Sequence, residues 1–336
     1  MTLILAIESS CDETACAVVK DGKKILSNIV SSQINVHTLY GGVVPEVASR
    51  IHVENISTVI TEALEKANVT MDDIDAIAYT KGPGLIGSLH VGVQAAKTLA
   101  WVYHKPLLPI NHMTGHIYAN AFVSELQFPL MALVVSGGHT ELVWMKNDWN
   151  FEVIGTTQDD AIGEAYDKVA RVLGLGYPGG PVVDKLAKNG KPHYSLPTPK
   201  TSDPYNFSFS GLKTAVLQLK EREERKGNVV SPEDLVYAFQ ETALTTMVSK
   251  TIAAVKEYKP KMIVLAGGVA ANSRLREMMK EEMSKVESTE LLIPPMWCCT
   301  DNAAMIGASG QIAYNHKCFG DLDAAADPNM LMPGEK

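Results

Sequence analysis

Two stretches of the chain share one hydrophobic pattern. "LILAIESSCDETACAVVKDGKKIL" (residues 3–26) reads as apolar strand, polar turn, strand, Asp-Gly turn, strand, and "LMALVVSGGHTELVWMKNDWNFEVIG" (residues 130–155) repeats that order with Ser-Gly-Gly and Asn-Asp turns. Both predict a β-meander. Each is followed later by an apolar strand that ends in glycines and opens a helix. These are "IDAIAYTKGPGLIGSLHVGVQAAKTLAWVY" (74–103) and "PKMIVLAGGVAANSRLREMMKEEM" (260–283). A longer stretch separates meander from glycine strand in the second half. It holds the helical patterns "AIGEAYDKVARVLGLGYPGGPVVDKLAKNG" and "YNFSFSGLKTAVLQLKEREER". The pattern predicts α/β layering in two related halves, a duplication with a cleft between them.

Composition narrows the class. A chain of 336 residues suits two domains, and 46% hydrophobic with 20% charged residues is globular rather than disordered. No apolar run approaches the ~20 residues of a membrane span, and no leader pattern opens the chain. A cytoplasmic protein is expected. Five cysteines without a C-x-x-C pair argue against a disulfide framework and a zinc ribbon. A net charge of −8 lacks the basic surplus of a chain that grips nucleic acid unaided.

The glycine turns are not nucleotide fingerprints of the familiar kinds. "GPGLIG" (82–87) matches G-x-G-x-x-G between a strand and a helix, but no Asp or Glu occurs from Ser88 to Ser124 to hold a ribose. Ser88 also stands where a P-loop needs lysine. "GLGYPG" (174–179) follows a helix and fails on context. The turns "VSGGHT" (135–140) and "LAGGVAANS" (265–273) remain, either as tight turns or as anion sites in which backbone N–H groups approach a phosphate. "PINHMTGHIYANA" (109–121) adds two histidines, His112 and His116, on one helical face. They are either metal ligands or satisfied helix residues.

Ten motifs, in order, carry a family likeness: "ESSCDET", "GGVVPEVASR", "GPGLIGSL", "NHMTGHIYAN", "VSGGHTEL", "GEAYDKVAR", "GLGYPGGP", "NFSFSGLKT", "GGVAANSRLR" and "CTDNAAMIG". Through them the chain resembles, over residues 3 to about 330, the bacterial TsaD/Gcp family, sister to the Kae-type proteins. The resemblance implies an ASKHA (actin/Hsp70-like) fold with two RNase H-like domains around a nucleotide and metal cleft. The domains implied are 1–118, completed by the tail 320–336, and 119–319, with a helical insertion near 158–225. It also implies transfer of threonylcarbamoyl from threonylcarbamoyl-AMP to N6 of the adenosine 3′ of the anticodon in tRNAs reading ANN codons, with release of AMP.

By the same resemblance, metal ligands fall on His112, His116 and Asp301, for one Fe2+ or Zn2+. Substrate-binding positions fall on Val134, Val135, Ser136, Gly137, Gly138, Asp167, Gly180, Asp184 and Asn272, and adenine nucleotide is the ligand. Val134 stands where Kae-type proteins have a tyrosine that also binds metal. Glu13, in the "CDET" turn, is a proton acceptor or a turn residue. The implied partners are tRNA, a TsaB-type paralogue pairing with helices near the amphipathic stretch 43–67, and a TsaE-type ATPase; no membrane is involved. Lys185, Lys188, Lys191, Lys200, Lys213 and Lys220 give the insertion a basic stretch for tRNA phosphate.

Three rival readings are weaker. A zinc protease needs H-E-x-x-H, and Met113 occupies the glutamate position. An ASKHA small-molecule kinase or ATPase would share the fold but use magnesium with carboxylates. A regulatory paralogue would lack the histidine pair and the insertion.

Overall fold

The structure, a computed structural model, describes residues 1–333. The first part of the chain forms β1 (Leu3–Glu8), β2 (Glu13–Lys20), β3 (Lys24–Ser32), α1 (Ile34–Tyr40), α2 (Pro45–Ala67), β4 (Ala76–Gly82), α3 (Ile86–Tyr103), β5 (Leu107–Asn111) and α4 (His112–Tyr118). Then come β6 (Leu130–Val135), β7 (Thr140–Asn147), β8 (Asn150–Thr156), α5 (Ile162–Val172), α6 (Gly179–Ala187), α7 (Ser210–Arg225) and α8 (Pro232–Tyr258). The chain ends with β9 (Met262–Ala266), α9 (Ser273–Met283), β10 (Glu290–Leu292), α10 (Met296–Cys299) and α11 (Ala303–Asn315).

Both meanders form, and the two sheets share one plan. Their strand orders are β3-β2-β1-β4-β5 and β8-β7-β6-β9-β10. In each, the first strand pairs antiparallel with the next and parallel with the glycine-ended strand. The Asp-Gly turn behaves as its chemistry requires, with Asp21 and Gly22 both at positive φ.

The chain divides into two compact units. One takes Met1–Leu126, Lys146–Phe151 and the described residues from Pro294 on; the other takes Gln127–Met145 and Glu152–Ile293. Residues 334–336 of the tail implied to complete the first domain lie outside the described residues.

In the first unit, alternation along β1 and β4 buries both sheet faces. Leu5, Ile7, Ile77 and Tyr79 pack with Val59 of α2 and Val93 of α3. Ile4, Ala6 and Ala78 face the other way, with Met305 and Ile306 of α11. Small residues decide how close α11 comes to the sheet. A Cβ at Gly307 would stand 2.5 Å from Val19 Cγ2, and one at Gly310 would stand 2.8 Å from Ala78 Cβ. That approach fixes the position of the residues just before α11, among them Asp301.

In the second unit β6 and β9 are wholly buried and run parallel, with Leu130 opposite Met262 and Val134 opposite Ala266. Ligands of open α/β sheets gather beyond the carboxyl ends of such strands. Both strands end there in glycine turns. Helices α5, α6 and α7 follow β8 within residues 162–225. Among the described residues, no helix is long and apolar enough to cross a membrane.

Candidate metal centre and glycine turns

Helix α4 starts sharply because Asn111 caps it. The Asn111 Oδ1 accepts from Met113 N at 2.8 Å and from Thr114 N at 3.3 Å. Its Nδ2 donates to the carbonyls of Met330 and Leu331. Thr114 Oγ1 lies 2.9 Å from Ser309 Oγ of α11, which ties the two ligand-bearing elements together. Helix α11 is capped in the same way, Asn302 Oδ1 accepting from Met305 N at 3.1 Å. His112 and His116 therefore sit one turn apart on α4, with Asp301 one residue ahead of the α11 cap.

The three side chains meet within the first unit. Their ligand atoms all lie within 4.8 Å of one another. His116 Nε2 is 3.1 Å from Asp301 Oδ1 and His112 Nε2 is 3.5 Å from it, and the two rings stand edge-on with centroids 4.7 Å apart. Two ligands about 2.1 Å from a common ion lie roughly 3.0–3.4 Å apart at octahedral or tetrahedral angles, so the spacing suits a divalent cation. The burial suits one too. His116 is 1% exposed, yet neither of its ring nitrogens makes a directed hydrogen bond, a costly arrangement without a partner. Two nitrogens and a carboxylate oxygen form a donor set for zinc or ferrous iron.

Charge is concentrated around this group. Burial opposes the charged form of His112, but Glu8 and Asp301 outweigh it and hold the imidazole well above its usual range. Burial would likewise raise Asp301, and the two histidines outweigh it and hold the carboxyl below its ordinary value. Glu13, at the start of β2, behaves in the opposite sense. Burial, and then the charges of Asp301 and Asp12, push it up to about 9 against the Ser32 hydroxyl, which donates to Oε1 at 2.9 Å.

The carried-over substrate positions cluster in the second unit. Val134 and Val135 are strand residues with no exposure, and their pairing with β7, and Val134's with β9, occupies the backbone. What they offer is support for the turn beyond them. There Gly137 and Gly138 are exposed, and a Cβ on either would meet nothing within 4 Å. Beside that turn, Gly267 at φ +88° brings β9 so close that a Cβ would stand 2.5 Å from the Val135 carbonyl oxygen. Gly268 next to it is exposed.

The polar residues of this cluster hold one another. Asp167 Oδ1 accepts from Gly179 N at 2.7 Å, fastening α5 to the start of α6, and burial raises its pKa. Asp184 accepts from Ser273 N at 3.1 Å and Ser273 Oγ at 3.0 Å. Asn272 caps α9 through Leu275 N and donates to Gln240 Oε1 at 3.0 Å and Tyr166 OH at 3.3 Å. Gly180 lies open, with nothing within 4 Å of a Cβ position.

A histidine–histidine–aspartate group and glycine turns on a duplicated α/β plan narrow the possibilities, and sequence comparison decides among them. The family model described as TsaD, tRNA N6-adenosine threonylcarbamoyltransferase, matches residues 24–308. The chain belongs to the TsaD family. It is 54% identical over 330 residues to the tRNA N6-adenosine threonylcarbamoyltransferase of Bacillus cereus, covering 98% of this chain and 96% of that one. The proteins of the same name from Bacillus subtilis and Listeria monocytogenes are also 54% identical, over 328 and 333 residues. They cover 97% and 98% of this chain and 95% and 97% of their own. Among solved structures, HypF of T. kodakarensis aligns with a TM-score of 0.65 at 14% identity, over 94% of this chain and 48% of that one. Component A of (R)-2-hydroxyglutaryl-CoA dehydratase from Acidaminococcus fermentans aligns with a TM-score of 0.54 at 17% identity, over 95% and 99%. At such identities the likeness concerns the fold alone, which is ASKHA (actin/Hsp70-like).

In this TsaD-family chain several residues stand at the sites without a motif of their own to mark them. Glu8 and Ser10 meet His112, Thr80 donates to Glu8, and Tyr166 and Gln240 hold Asn272. Glu8 and Ser10 lie inside "ESSCDET", but as the end of an apolar strand Glu8 reads as the start of a turn. Gln240 sits within α8, far along the chain from everything it touches.

Proposed function

We propose that this chain transfers the threonylcarbamoyl group from threonylcarbamoyl-AMP to N6 of the adenosine 3′ of the anticodon in tRNAs reading ANN codons. The N6–carbonyl bond forms, the bond from that carbonyl to the phosphate oxygen breaks, the amine loses a proton, and AMP leaves. The observation that carries this reading is the meeting of His112, His116 and Asp301 in one 4.8 Å group in a chain of this family.

His112 and His116 supply nitrogens and Asp301 a carboxylate oxygen to one Fe2+ or Zn2+. A bound divalent ion supplies Lewis-acid polarisation and a template for substrate oxygens. The leaving AMP is already a good one, so the residues act chiefly by positioning and by charge stabilisation. The Ser136–Gly138 turn presents backbone to the phosphate. Asp167 and Asp184 keep lone pairs beyond those that Gly179 and Ser273 use, which suits ribose hydroxyls or the threonyl group. Gly180 leaves room beside them, and Asn272 fixes the α9 start. Glu13, whose carboxyl feels the Asp301 charge, serves as the proton acceptor or stands beside the phosphate.

One partner is supported by surface chemistry, and the others by the family resemblance. A groove of about 560 Å³ runs between α2 and α3, lined by Val53, Ile56, Ile60, Val91 and Leu99, and Val53 is 63% exposed. This apolar groove supports pairing with a TsaB-type paralogue. With a net charge of −8, such a partner also completes the tRNA-binding surface, a TsaE-type ATPase joins the complex, and the protein works in the cytoplasm. The test is reconstitution with the partner proteins, threonine, bicarbonate, ATP and unmodified tRNA, followed by nucleoside analysis. Threonylcarbamoyladenosine that appears only when this chain is present supports the proposal. Its absence from a complete mixture that makes threonylcarbamoyl-AMP refutes it.

A further inference from the structure

Glu8 ends β1 with its side chain wholly buried. Its Oε2 lies 3.0 Å from His112 Nδ1 and accepts from Thr80 Oγ1 at 2.5 Å, while Oε1 accepts from Ser10 N at 2.5 Å. Ser10 Oγ stands 3.2 Å from the same Nδ1. Glu8 is not among the residues whose ligand atoms converge, because it faces the side of the ring away from Asp301.

A neutral imidazole has one donor and one acceptor nitrogen. A carboxylate can only accept, so Nδ1 of His112 carries its hydrogen toward Glu8, and a divalent ion between Nε2 and Asp301 would take the place of a proton on Nε2. His116 has no such partner on its Nδ1. The two histidines are thus unequal. One ring is held at Nδ1 by a buried carboxylate behind it, and the other meets only Asp301, through Nε2 at 3.1 Å. A buried carboxylate is costly to desolvate, and an apolar residue would serve stability as well or better. Its presence here is explained by what it does to His112.

We infer that Glu8, itself braced by Thr80 and Ser10, is a positioning residue that sets the His112 tautomer and aims Nε2 at the metal. This rests on the metal reading of the His112–His116–Asp301 group. Outer carboxylates of this kind typically change metal affinity 10–100-fold when removed.

The test is Zn2+ titration against a competing chelator, using full-length wild type, Glu8→Gln and the milder Thr80→Val, with thermal melts of each metal-free protein. Glu8→Gln is expected to bind Zn2+ about 10–100-fold more weakly and Thr80→Val to lose a smaller factor, without a matching loss of fold. Nitrogen-15 spectra of the histidines in Zn2+-loaded wild type supply a second readout that needs no variant. They are expected to show His112 protonated at Nδ1 and bound through Nε2. Wild-type affinity in a folded Glu8→Gln, or Zn2+ on Nδ1 of His112, overturns the inference while leaving the metal site standing. A wild type that takes up no Zn2+ overturns both.

Discussion

The carbonyl oxygen of Ser136 accepts a hydrogen bond from Gly163 N at 3.2 Å, and a Cβ on residue 163 would stand 2.6 Å from that same oxygen. The start of α5 is therefore pressed against the backbone of the β6–β7 turn, and only glycine permits it. Gly163→Ala gains up to about 1 kcal/mol of helix propensity. Overpacking against a backbone carbonyl, which cannot rotate away, costs about 1–3 kcal/mol and prevails. The variant is expected to melt at lower temperature and to bind adenine nucleotide more weakly, as calorimetry would read.

Gly137 gives the contrasting case. A Cβ there meets nothing within 4 Å, so Gly137→Ala should change stability by less than about 0.5 kcal/mol. If the turn presents its backbone to a phosphate, the same methyl group weakens binding of threonylcarbamoyl-AMP about tenfold or more, the loss of a charge-assisted hydrogen bond. Titration of the variant against wild type checks both halves. An unchanged affinity would remove the turn from the substrate site.

These two glycines show what the sequence makes legible. Strand–turn–strand patterns with Asp-Gly and Ser-Gly-Gly signals mark both meanders, because turn chemistry and alternation are local. Strands β5 and β10 carry no such signal. The first has Pro109 within it and the second is only three residues long. The site divides the same way. The spacing of His112 and His116 is visible, being one helical turn. Glu8 lies 104 residues from His112, and only the parallel pairing of β1 with β4 and of β4 with β5 brings it to that ring. Asp301 was reachable through the family motif, not through any local pattern.

Asp159 offers a pH test away from the metal ligands. Burial opposes its charge, but Ser208 Oγ at 2.6 Å, Phe209 N at 2.7 Å, and the amide and hydroxyl of Ser210 outweigh it and hold its pKa below the ordinary 3.8. For a depressed carboxylate, the stabilisation is present above the unfolded value and is lost as pH falls through the folded one. Asp159→Asn, which keeps an acceptor but loses the charge, should cost about 0.5 kcal/mol at pH 7 because the residue is exposed. Wild type and variant should begin to converge in melting temperature near pH 4 and meet only below the folded value, as a pH series of melts would show.

The α2–α3 groove predicts a partner phenotype separable from chemistry. Val53→Asp and Ser57→Asp place charge on exposed positions of α2 and should leave the melting temperature nearly unchanged. Facing a desolvated apolar partner, the added carboxylates should weaken the complex with the TsaB-type paralogue by at least tenfold. Gel filtration and isothermal titration read that loss. Metal content should remain that of wild type.

The most direct measurement of the central claim is elemental analysis of purified wild type beside the His112→Ala/His116→Ala double variant, each loaded with Fe2+ or Zn2+ and desalted. About one ion per chain in the wild type and almost none in a folded double variant is the predicted result. Equal metal content in the two proteins would contradict it.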